Sequence, residues 1–128
     1  MSAEFSFDVD PARSLVRIRM SGFFAPEDIA AFLAARTEAH ARLTCGPNQH
    51  FTINDLRDIK IQAQESVELF RDLLADPAYR SRRLAFVIGK TLARTQLQRA
   101  LDRRCARCFD DPWAAEAWLF TGEDRAAA

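Results

Sequence analysis

Three short stretches hold residue types that can do chemistry: Gly89-Lys90-Thr91, Cys105-Ala106-Arg107-Cys108 and Asp55-Leu56-Arg57-Asp58. A glycine, lysine and threonine where a strand gives way to a helix suggest the end of a phosphate-binding loop, in which backbone amides and the lysine cradle a nucleotide. Such a loop needs another glycine five residues earlier, and Leu84 stands there, inside an unbroken apolar run. Nucleotide hydrolysis is therefore not expected. What remains at Lys90 and Thr91 is a cation beside the free amides of a helix start, enough to hold a carboxylate or phosphate.

The cysteine pair has the spacing of a redox motif or of half a zinc site. For redox work the first thiol belongs at a helix N-terminus, where the dipole lowers its pKa, and Cys105 instead follows a helix's C-terminal end. Zinc needs about four ligands, and the others of its type, Cys45, His40 and His50, have no paired spacing. Two strand-end thiols are the plainer reading, with a thiol-based redox sensor using Cys105 and Cys108 as a third functional possibility. His40 and His50 look isolated, with no serine or cysteine at a spacing that would make either a general base. No catalytic residue, metal site or cofactor is expected.

Asp55, Arg57 and Asp58 are read as lying just past the C-terminal end of a strand, where ligands sit in open α/β sheets. The same sheet end carries Gly89, Lys90, Thr91 and Asp110, so a shallow polar site is expected there, against the alternative that these charges simply pair with one another.

The elements that must position these residues follow from hydrophobic period. Phe5, Phe7 and Val9 alternate with Glu4, Ser6 and Asp8, and Val16, Ile18 and Met20 alternate with Arg17 and Arg19, which predicts two paired strands around a turn at 10–13. Pro26 followed by Glu27 and Asp28 opens a helix over 26–43, with Ile29, Phe32, Leu33, Arg36, Ala39, His40 and Leu43 on one side. A strand at 50–54 is followed by a loop through Leu56, Ile59 and Ile61, then a helix over 64–74 whose stripe is Val67, Phe70, Leu73 and Leu74. The run Leu84, Ala85, Phe86, Val87 and Ile88 is apolar throughout, the mark of a strand covered on both faces, and is read as the central strand. A helix over 91–104, a short strand at 106–109, a last helix over 113–120 and a frayed 121–128 complete the chain. Trp113 and Trp118 are read as core and helix-packing residues.

At 128 residues, with 48% apolar and 28% charged residues, the chain is expected to form one domain with one core. Its longest apolar run is far too short to span a bilayer. The start MSAEFSFDVD has acids where a secretory leader has basic residues, so a cytoplasmic location is expected. Net charge is zero, yet Arg80, Arg82, Arg83, Lys90, Arg94, Arg99, Arg103, Arg104 and Arg107 face Asp102 alone in their segment. Such polarity suits an anionic partner, whether acidic protein, phosphate or lipid head group, or self-association as a homodimer, against the plainer reading of a solvated helix face that keeps the protein soluble. Without interleaved aromatics it does not suit nucleic acid.

The strand RLAFVIG with its following helix, the closing CFDDPWAAEAWL and the strand HFTINDLRDI together resemble the SpoIIAA-like group, relatives of the STAS domain, over most of the chain. The resemblance implies an α/β domain: an N-terminal β-hairpin followed by a β-α superhelix (β-β-α-β-α-β-α-β-α), a mixed five-stranded sheet packed with about four helices. It also implies a non-enzymatic interaction or signalling module that acts through protein contacts. In the signalling members a phosphorylatable hydroxyl follows an aspartate. Here Asp55 is followed by Leu56, and the nearest hydroxyl, Ser66, lies well into the next segment, so no phosphorylation site is carried over. The lipid-carrying relatives imply the alternative, a carrier of a small anion or lipid between the sheet and the helices over 26–43 and 64–74. Candidate surfaces are the sheet end at Asp55, Arg57, Asp58, Lys90 and Thr91, and the arginine face of Arg94, Arg99 and Arg103.

Overall fold

The computed structural model describes residues 2–60, 62–89, 94–95, 99 and 106–122. Strands β1 (Glu4–Asp10) and β2 (Leu15–Gly22) form an antiparallel hairpin around a single 3-10 turn, Pro11–Arg13. Helix α1 (Pro26–Ala41), strand β3 (Phe51–Ile59), helix α2 (Gln64–Ala75), strand β4 (Arg83–Val87), strand β5 (Ala106–Phe109) and helix α3 (Pro112–Thr121) follow. The sheet is mixed, five-stranded and ordered β1-β2-β3-β4-β5, with β2, β3, β4 and β5 parallel. Three helices lie among the described residues. The helix expected over 91–104 falls mostly outside them, although Arg94, Thr95 and Arg99 are helical.

The two sheet faces bury different sets of side chains, as the two-residue period of a strand requires. On one face Val16, Ile18, Met20, Leu56, Phe86 and Ala106 pack with Phe24 and with Ile29 and Phe32 of α1, and Phe70 and Leu73 of α2 pack onto them. On the other, Leu15, Ile53, Ala85, Val87 and Phe109 pack against Ala115, Trp118 and Leu119 of α3. Both ends of α3 are fixed by side chains: Asp111 accepts from the Trp113 amide at 3.0 Å, and Arg83 donates to the Leu119 carbonyl at 2.8 Å. Leu33 and Trp113 leave the core positions expected of them. Leu33 is 36% and Trp113 79% exposed, because each lies off the buried stripe of its helix.

Two readings of the sheet need correction. The centre of the sheet is β3, not the apolar run at 84–88, which forms β4 beside it. The segment Leu56–Ile59, expected as a loop, is the second half of β3. Thr52 and Asn54 hide the strand from a hydrophobic reading, because both are polar and buried: Thr52 Oγ1 lies 2.7 Å from Ser81 Oγ, and Asn54 donates to the Met20 sulfur at 3.6 Å. The second half is hidden by a bulge. Arg19 pairs with Asp55 and Ser21 with Asp58, so three steps of β3 span two of β2. The extra residue reverses the facing of everything beyond it, so Asp55 and Asp58, which simple alternation would separate, both partner residues on one face of β2.

Candidate functional site

That face, over β1, β2 and the far half of β3, lies beyond α3, which packs on β3, β4 and β5. It carries Glu4, Ser6 and Asp8 from β1, Arg17, Arg19 and Ser21 from β2, and Asp55, Arg57 and Asp58 from β3. These residues pair into a lattice. Arg57 grips Asp55 with two parallel bonds, Nε to Oδ1 at 3.0 Å and Nη2 to Oδ2 at 2.7 Å, and its backbone amide adds a third at 3.1 Å. Burial alone would raise the Asp55 carboxyl, but the Arg57 bonds and charge, with Arg19 behind them, hold it below its ordinary value. Arg19 reaches Asp58 at 3.0 Å, and Arg17 and Arg13 both reach Glu116 of α3, at 3.0 and 2.8 Å.

Where β2 and β3 end, a half-open basin of about 810 Å³ is lined by Arg19, Arg57, Asp58 and Lys60 on one side and Glu4 and Ser6 on the other. Its floor depends on Gly22, whose φ of +84° favours glycine and whose absent Cβ would lie 2.3 Å from the Ser2 carbonyl oxygen. Gln62 closes the corner by accepting from the Phe24 amide at 2.8 Å and donating to the Gly22 carbonyl at 3.1 Å. Trp113, in the first turn of α3, is 79% exposed.

The structure therefore brings Asp55, Arg57 and Asp58 together, but within a strand rather than after one. Lys90 and Thr91 lie outside the described residues, as does Arg103. Of the expected arginine face, Arg99 is exposed, whereas Arg94 is ion-paired with Asp110 and is mostly covered. Cys105 lies outside the described residues. Cys108 sits within β5, packed against the core, and burial pushes its thiol up, with the Arg94 charge only partly opposing this, away from the thiolate that redox chemistry needs.

Ser66 is 2% exposed in the first turn of α2 and donates to the Phe24 carbonyl at 2.7 Å, so its hydroxyl is held inside the fold. The space between the sheet and α1 and α2, where a lipid would have to enter, is filled by rings. Phe5 and Phe7 lie 5.4 and 5.0 Å from Phe32, and Phe24 lies 5.6 Å from Phe70.

His40 and His50 are not isolated. The short connection from the end of α1 to the start of β3 brings their Nε2 atoms to 3.2 Å, and Ser81 Oγ lies 3.1 Å from His50 Nε2. Ten residues apart in the chain, the two rings meet only because the chain returns from α1 to β3. The geometry is that of a nucleophile and its base, but the hydrogen bonds argue otherwise. His40 Nδ1 is 2.9 Å from the Arg36 carbonyl, which only accepts, so Nδ1 carries the hydrogen and Nε2 of the neutral ring accepts from His50 Nε2–H. His50 then has no lone pair on that nitrogen to take a proton from Ser81, whose other neighbour is Thr52. Burial, helped by the His40 charge, pushes His50 down to about 4, and burial likewise lowers His40. The cluster is a neutral, hydrogen-bonded network that ties α1 to β3 and β4.

No helix among the described residues is long and apolar enough to cross a membrane, and among them no three metal-ligating side chains gather. No protein-family model and no curated protein sequence matches the chain. A solved structure does: an uncharacterised protein of the DUF3478 family from Shewanella loihica PV-4 with a SpoIIAA-like fold, 13% identical, over 91% of this chain and 93% of that one, with a TM-score of 0.67. The fold is SpoIIAA-like, as the resemblance implied.

Proposed function

We propose that this chain is a non-enzymatic module that works in the cytosol by contact with a protein partner, through the open face around Arg19, Arg57 and Asp58. The observation that carries the reading is the set of exposed, ordered charges on this face, in which Arg57 clamps Asp55 through two parallel bonds and Arg19 reaches Asp58. Arginine and tryptophan are enriched among the residues that dominate binding energy at protein interfaces, and Trp113 of α3 is left 79% exposed. Arginine and carboxylate alternate over the face, which favours a partner that carries both signs, with acidic groups over Arg19 and Lys60.

Affinity capture from the source cells tests this. Trp113→Ala and Arg19→Glu, both at exposed positions, should each abolish capture of the same partner while leaving the circular dichroism spectrum unchanged. Capture undiminished in both variants would remove this face from consideration. A second reading uses the same basin: Arg19, Arg57 and Lys60 around about 810 Å³ also suit a small anion. Native mass spectrometry of the captured protein separates the two, since a carrier retains a small molecule and a contact module does not.

A further inference from the structure

We propose that the free edge of β1 takes up an extended segment of a partner protein in which basic and apolar residues alternate, extending the sheet by one strand. This goes beyond the reading above and rests on the backbone edge of β1, whose outer side chains border that same charged face.

β1 is the last strand on its side of the sheet, so one row of its backbone N–H and C=O groups meets no strand among the described residues. Such an edge is normally blunted by lysine, proline, a bulge or shortness. β1 has none of these, and its only edge charges are the acids Glu4, Asp8 and Asp10. It is seven residues long, EFSFDVD, and pairs with β2 in unbroken register from Glu4 to Asp10. Its inner side chains, Phe5, Phe7 and Val9, are only half buried, although Phe5 and Phe7 belong to the aromatic cluster around Phe32. A strand laid alongside would finish covering them.

The side chains decide which strand that is. On the outer face β1 presents Glu4, Ser6 and Asp8, all exposed. A second copy is a poor fit. Antiparallel self-pairing centred on Phe7 sets Glu4 against Asp10 twice, and like charges directly opposite are destabilising. The strand already on the other side of β1 shows what does fit. In β2, Arg19 faces Ser6 and Arg17 faces Asp8, while Met20, Ile18 and Val16 face Phe5, Phe7 and Val9. The Val16-Arg17-Ile18-Arg19-Met20 pattern is the complement of β1, and the vacant edge presents the same side chains to a newcomer. Main-chain bonds would supply affinity and the alternation would supply selectivity, as in other cases of strand addition.

The test uses fluorescence anisotropy with a labelled heptapeptide of alternating valine and arginine, at low salt. Binding is expected, and it should weaken at least about fivefold in Asp8→Lys. It should also weaken for a peptide of equal composition with its valines and arginines in separate blocks, and vanish when alternate peptide amides are N-methylated. Trp113 lies on α3, which packs on β3, β4 and β5, so Trp113→Ala, which removes capture if that reading holds, should leave peptide binding unchanged. Absence of binding, equal binding of the blocked or N-methylated peptide, or indifference to Asp8→Lys would each overturn the proposal.

Discussion

Acid should weaken this protein through its histidines before it reaches the Asp55 clamp. His50 is 3% exposed, and its pKa falls from an ordinary 6.5 to about 4 in the fold. The unfolded chain therefore binds the proton more tightly, so the stabilisation is present above pH 6.5 and is lost as pH falls through 6.5 toward 4. Over the whole window the loss is about 3 kcal/mol, and by pH 5 it has reached about 2 kcal/mol. His40, also lowered, acts in the same direction. Asp55 acts elsewhere: its lowered carboxyl contributes stability that disappears only below its ordinary value of 3.8. Urea unfolding at pH 7.5, 6, 5 and 4.5, read by tryptophan fluorescence, should thus show a falling midpoint across a range above that in which Asp55 acts. His50→Phe keeps a ring in the site but removes the titration. It should be less stable than the parent at pH 7.5, since His40 Nε2 loses its donor, by about 1–3 kcal/mol. The gap between the two proteins should close by about 2 kcal/mol at pH 5. If both proteins lose stability with the same slope between pH 7.5 and 5, the histidine pair is not the acid-sensitive element and the account of the network is wrong.

Two further substitutions probe the backbone and the buried hydroxyl. Gly22→Ala forces a side chain onto a φ of +84° and against the Ser2 carbonyl, and should lower stability by about 2 kcal/mol, measured by urea denaturation. Ser66→Asp places an uncompensated charge where the hydroxyl donates to Phe24, and should destabilise by more than about 3 kcal/mol, with Ser66→Ala milder at about 1 kcal/mol.

The strand and helix types were legible wherever side chains alternate or recur with a clean period. The hairpin and α2 come from that signal, because in each one face meets the core and the other meets water, whereas α1 and α3 are marked chiefly by their start signals, Pro26 with its acids and Asp111-Pro112. The signal failed where burial and polarity coincide. Thr52 and Asn54 are interior yet polar, so β3 looked short and the neighbouring apolar run took its place at the centre. It failed again at the bulge, where Asp55, Arg57 and Asp58 read as a loop because no two-residue period survives an inserted residue. Of the candidate site, the grouping of these three was visible in the sequence, but Arg19 and Lys60 were not. They join it only through the β2–β3 register. The histidine pair was invisible because its partners, Ser81 and Thr52, join it through tertiary return of the chain.

A sheet whose spatial order repeats its order in the chain has a consequence for assembly on the ribosome. Each parallel strand docks on the one synthesised just before it, and no earlier gap waits for a later insertion. The hairpin of β1 and β2 emerges first and can form by itself from local pairing, and growth then runs in one direction from β2 to β5. The nascent domain accordingly exposes a moving growth front on one side, while its first-made border keeps the same chemical character from start to finish.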